Sequence, residues 1–113
     1  MAKNHVQKGK YLWLNVGTGV KSGDPVAVGQ ITGVVTIDAD ASGYATVDTG
    51  EVYDLSVKAV DGSGNSPVAI GDAIYYVAAD TPKLSKKTAG VLFGHALEAI
   101  ATGATDTINV KLK

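Results

Sequence analysis

The sequence predicts a mainly β fold: a small single-domain β-barrel or β-sandwich of short strands, preceded by an extended N-terminal arm. Three observations carry this expectation. Apolar residues alternate with polar ones at a period of two in segment after segment, while a period of 3.6 hardly occurs. These segments are short, rich in β-branched and aromatic residues, and bounded by Gly, Asp, Ser or Pro. The chain of 113 residues, 45% apolar and 19% charged, is sized for one core, and a domain of that length removes roughly two thirds of its unfolded surface from water.

Residues 1–10, MAKNHVQKGK, hold three lysines and one strongly apolar internal residue, Val6, so they have little to bury and are expected to form a mobile arm ahead of a body spanning 11–113. They also lack the apolar run of a signal peptide. In YLWLNV, Leu12, Leu14 and Val16 alternate with Tyr11, Trp13 and Asn15, the pattern of a strand covered more completely on one face. PVAVGQITGVVTID and YATVD continue in the same style. VYDLSVKAV places Tyr53, Leu55, Val57 and Ala59 on one side and Asp54, Ser56 and Lys58 on the other. AIYYVAA and VLFGHALEAIA follow. Within the latter, GHALEAIAT has good helix formers but only two turns of them, and strand is the preferred reading. TINVKL sends Ile108, Val110 and Leu112 inward. The polar stretches DGSGNSPVAIGD and AADTPKLSKKTAG are expected to be exposed turns, neither long enough to divide the chain. Leu12, Leu14, Val26, Val28, Ile74, Leu92, Leu97, Ile108 and Val110 are the expected core contributors.

The glycine-rich stretch VGTGVKSGDPVAVG raises the question of a phosphate-binding loop. A Walker loop needs Gly-Lys-Ser/Thr in direct succession ahead of a helix, whereas here Val20 separates Gly19 from Lys21 and a β-patterned segment follows Pro25. The same device recurs: VKSGDPVAV resembles VAIGDAIYYV, and ATGATDTINV is a looser third copy. Gly23, Asp24 and Pro25, with Gly71 and Asp72, therefore read as structural turns in which glycine supplies a positive φ and the carboxylate accepts backbone N–H groups.

No catalytic, cofactor-binding or metal-binding residue emerges. The chain has no cysteine and two histidines, His5 and His95, neither at a zinc-ligand spacing from another histidine or a carboxylate. His95 reads as a partly buried, hydrogen-bonded side chain. Asp38 and Asp40 lie in TIDADASGY, a β-turn composition rather than an acid/base pair, and DGSGNS lacks the context of a serine nucleophile. No run of apolar residues is long enough to span a membrane, and the absence of arginine argues against bidentate phosphate or guanine recognition. Neither a membrane nor nucleic acid is an expected partner.

The net charge of −1 conceals segregation. Residues 1–23 carry four lysines and no acid, residues 24–80 carry nine acids and Lys58, and the remainder carries five lysines with Glu98 and Asp106. Such a pattern suits complementary docking with like copies or another partner, or it marks solvated faces.

Taken in order, MAKNHVQKGKYLWLNV, VKSGDPVAVGQITGVV, VAIGDAIYYV and LFGHALEAIATGATDTINVKLK resemble the small bacteriophage capsid cement, or decoration, proteins over nearly the whole chain. The resemblance implies a β-rich structural protein, not an enzyme, made in the bacterial host cytoplasm. It would sit on the outer surface of the expanded phage head in the virion and tie neighbouring major capsid protein subunits together. A homo-oligomer is implied, with a trimer as one form. Lys3, Asn4, His5, Val6, Gln7, Lys8 and Lys10 then become a capsid-docking arm. The alternative is a non-catalytic ligand-binding or carrier-like β-module, which would need a lysine at a hairpin tip, and a hydrolase built on His95 and an Asp is a third reading.

Overall fold

The computed structural model describes residues 11–112. Among them are eleven strands and no helix: β1 (Tyr11–Asn15), β2 (Pro25–Val28), β3 (Ile31–Val35), β4 (Tyr44–Asp48), β5 (Val52–Lys58), β6 (Val60–Asp61), β7 (Gly64–Asn65), β8 (Ala73–Tyr76), β9 (Leu84–Ser85), β10 (Val91–Ala96) and β11 (Thr105–Leu112). The mainly β fold is the expected one, and of the two expected architectures it contains the barrel, with a separate open sheet beside it. Five strands close a barrel in the order β10-β11-β5-β9-β8, and four form a sheet in the order β1-β4-β3-β2. Strands β6 and β7 pair as a small hairpin.

Period-two patterning builds the barrel wall directly. On β5, Leu55, Val57 and, just past it, Ala59 are buried while Asp54, Ser56 and Lys58 face out. On its antiparallel partner β11, Ile108, Val110 and Leu112 are buried and the intervening residues exposed. Phe93, Ile74, Leu84 and Val68 complete this core, with Tyr76 stacked on Phe93 at 6.5 Å between ring centroids.

Two expectations fail here, each for a local reason. The polar stretch AADTPKLSKKTAG is not simply an exposed turn, because it contains β9, whose Leu84 and Ser85 are buried. This two-residue strand pairs in parallel with β5 (Val57 with Leu84, Lys58 with Ser85) and antiparallel with β8, which closes the barrel. Two residues flanked by lysines give too short a run for a period to register. In β10, the register against β8 shifts between Leu92 and Gly94, so Phe93 and Gly94 are both buried and the alternation restarts. Leu92 is consequently only half-buried, His95 points out rather than being partly buried, Ala96 points in, and Leu97 is 37% exposed. Of the other expected core residues, Val26, Ile74, Ile108 and Val110 are buried, and Leu12, Leu14 and Val28 are half-buried.

The sheet joins the barrel through β3, which is buried on both faces. Val34 belongs to the barrel core, and the Thr32 hydroxyl, on the same face, shares long hydrogen bonds with the carbonyls of Leu92 (3.4 Å) and Phe93 (3.5 Å). Val35, on the opposite face, packs with Val26, Ala45 and Val47 into a second, smaller core lined by Leu14, Val16, Val20 and Ala39. Gly33 is required between them, since a Cβ there would collide with the Asp48 carbonyl and lie 2.6 Å from Val47 Cγ1. Next to this seam Asp48 is buried, accepting hydrogen bonds from the Tyr53 hydroxyl (2.7 Å) and the Gly50 N–H (3.0 Å). Burial, followed by the bond to Asp48, pushes the Tyr53 phenol up to about 12.

The repeated Gly-Asp turns have the same construction at both sites. Gly23 and Gly71 have φ of 89° and 92°, each in a four-residue turn closed by the Asp24 N–H to Lys21 carbonyl bond or the Asp72 N–H to Ala69 carbonyl bond, both 3.0 Å. Each carboxylate accepts the first N–H of its turn, Lys21 for Asp24 (3.0 Å) and Ala69 for Asp72 (2.8 Å). Each turn then clamps one residue of the partner strand: Gly23 N–H and Asp24 carbonyl bond Val35 on β3, and Gly71 N–H and Asp72 carbonyl bond Ala96 on β10. Pro25 opens β2 directly after the first turn.

Two outcomes follow. Ile74→Ala, at a fully buried site, is expected to lower unfolding free energy by about 2 to 5 kcal/mol, while Leu97→Ala, at a partly covered site, costs about 1 kcal/mol, both read by urea denaturation. The Ala69 N–H and then Lys86, whose amine lies 3.1 Å away, hold the Asp72 carboxyl below its ordinary value. A depressed carboxylate stabilises the fold above its unfolded pKa and loses that contribution as pH falls through the folded one. The stability difference between wild type and Asp72→Asn, under about 1 kcal/mol at pH 7 for a part-exposed pair, should therefore shrink in denaturation curves recorded at about pH 3, below the ordinary carboxylate range.

Candidate docking surface

The residues expected to dock, Lys3, Asn4, His5, Val6, Gln7, Lys8 and Lys10, lie outside the described residues. What the structure describes is the element they lead into. Tyr11 opens β1, which among the described residues has a strand neighbour on one side only, β4. The register sets Leu12 against Val47 and Leu14 against Ala45 on the side of the smaller core, and Tyr11 against Asp48 and Trp13 against Thr46 on the other.

That second side becomes an aromatic surface. Trp13 is 58% exposed and Tyr11 52%, with Tyr44 also exposed. Trp13 and Tyr44 are diagonal neighbours across the β1-β4 ladder, and their rings stack at 5.9 Å with planes 19° apart. Stacking fixes two large rings in a preset orientation, so little further entropy is lost when a partner covers them, and Trp and Tyr are the residues in which interface energy concentrates. Sequence reading placed Tyr11 and Trp13 on the less covered side of a strand but gave no sign of Tyr44, which reaches them only through pairing with a strand some thirty positions away.

The segregated charges are partly spent within the chain. Lys21 pairs with Asp38 at 3.7 Å, Lys86 with Asp72 at 3.1 Å and Lys87 with Asp80 at 2.7 Å, each joining a lysine-rich stretch to the acidic middle. The described residues nevertheless contain all eleven acids of the chain against six of its ten lysines, so the body is acidic. Gly23, Asp24, Pro25, Gly71 and Asp72 lie in or directly after the two clamping turns. Asp40 accepts the Ser42 and Tyr44 N–H groups at 2.9 and 3.0 Å, and Asp38 accepts the Ser22 N–H at 2.9 Å, so both carboxylates tie loops together. His95 stands opposite Lys111 and Ala73 rather than a carboxylate. The β6-β7 hairpin tip carries Gly62 and Ser63 and offers no lysine for a carrier role. Among the described residues no group of three or more His, Cys, Asp or Glu could hold a metal ion.

Comparison with known proteins places one match on this chain: residues 6–112 fit a family model described as phage cement protein. No curated protein and no solved structure matches it.

Trp13 is the only tryptophan in the chain, so its fluorescence reports on this face alone. In the free protein it is expected to be quenched by acrylamide to the degree of a half-exposed indole, and Trp13→Ala to lower unfolding free energy by about 0.5 to 1.5 kcal/mol, the worth of its stack on Tyr44. A quench-resistant signal would mean that the face is covered.

Proposed function

The chain belongs to the phage cement protein family, and from that membership we propose that it decorates the outer face of the expanded head and holds neighbouring major capsid protein subunits together by adhesion alone. Family membership gives it a structural role on the virion capsid; the match over residues 6–112 is the single observation that carries the reading. The geometry supports adhesion. A closed barrel leaves few free strand edges, and the sheet that remains open carries an aromatic face beside its edge strand.

In this proposal the N-terminal arm, Lys3 to Lys10, adds to an exposed strand edge of a capsid subunit while its lysines meet acidic surface, and the β1-β4 aromatic face seats beside it. Ordering the arm costs roughly 1 to 2 kcal/mol per residue in backbone entropy, so only a well-paired arm binds productively. Copies act as homo-oligomers, a trimer at a threefold position being the simplest, after synthesis in the host cytoplasm. A ligand that binds only the assembled shell stabilises it by mass action, and engagement of several subunits at once multiplies the effect.

Heads of the encoding phage, heated with and without the protein at matched salt, are expected to break at a higher temperature when decorated; identical disruption temperatures would reject the cement role. Deleting residues 2–9 should leave melting of the isolated protein nearly unchanged and weaken attachment to heads. Full attachment by the truncated chain would move the anchor onto the β-body.

A further inference from the structure

We infer that the cleft between the four-stranded sheet and the barrel receives a lysine- or arginine-bearing extended segment of the major capsid protein, an assignment that rests on the capsid-docking reading above. The cleft holds about 510 Å³. Val20 and Pro25 on the sheet side give it apolar surface, and Asp24, Asp54 and Asp80 line it as well. Apolar surface beside carboxylates fits a side chain that has a methylene stem and a cationic head.

The charges are not equally available. Asp80 is already paired with Lys87, and Asp24 caps the Lys21 turn. Asp54 faces outward on β5, is exposed, and its carboxylate has no hydrogen-bond or ion-pair partner among the described residues. The lining cation, Lys83, donates to the Ala78 carbonyl at 3.1 Å. Tyr76, half-buried, adds an aromatic ring to the same lining, and a cation gains from such a face as well as from carboxylates. The wider field has the same sign, since the body carries eleven acids against six lysines. A cationic arm and an acidic cleft make the docking surface two-signed, which fixes orientation as well as attracting the partner.

The test is cosedimentation of full-length wild type, Asp54→Asn and Asp54→Lys with expanded heads of the encoding phage over a series of salt concentrations. Thermal unfolding of each variant runs alongside, and carbodiimide crosslinking joins carboxylates to amines in contact. Unfolding is expected to be unchanged. Attachment should weaken about fivefold for Asp54→Asn, the scale of one exposed charge pair, and about tenfold or more for Asp54→Lys, with a shallower salt dependence. A crosslink from Asp54 or Asp24 to a capsid lysine supports the assignment. Wild-type attachment by Asp54→Lys overturns it, as does a crosslink to Lys3, Lys8 or Lys10, which would make the occupant the N-terminal segment of this chain. Failure of wild type to attach at all overturns the docking reading itself, whatever the variants do.

Discussion

Strand β3 has to be buried on both faces, and the rest of the architecture follows from that constraint. One face gives Val34 to the barrel core and the other gives Val35 to the smaller core, with Gly33 between them where no side chain fits. Its two edges are taken by β2 and β4, and β1 extends the sheet beyond β4. At that end of the sheet the face opposite the smaller core is left open, and Tyr11, Trp13 and Tyr44 are exposed on it.

Much of this was legible in the sequence, and the parts that were not have a common cause. The clean alternation of β5 and β11 could be read because each strand separates one buried face from one solvated face, so polarity and position agree. The Gly-Asp turn could be read because its repeat exposes it, although its clamp on Val35 and Ala96 could not, being a contact across strands. Alternation failed wherever geometry breaks the period. The β10 bulge brings Phe93 inside and turns Leu97 out, and β9 is too short to have a period although it closes the barrel. The docking face was half legible: the exposed side of β1 is visible in YLWLNV, but the stack that organises it needs Tyr44 from β4.

Charge shows the same division between what composition states and what folding does with it. Three ion pairs join the lysine-rich stretches to the acidic middle, and exposed pairs of this kind contribute little stability each. They take one acid with each lysine, so the acid excess of the body, eleven acids against six lysines, stands unchanged beside a basic N-terminal segment. The burden of stability falls instead on packing across the β3 seam and around the closed barrel.

The proposed attachment joins the β-body to the capsid through β1, the edge strand of the open sheet. Hydrogen–deuterium exchange, comparing the free protein with protein bound to expanded heads, addresses it directly. New protection is expected at the amides of Tyr11–Asn15, with residues 110–112 of β11, which lie between β5 and β10 in the barrel, exchanging alike in both states. Protection gained elsewhere on the body while β1 exchanges at its free rate would contradict it.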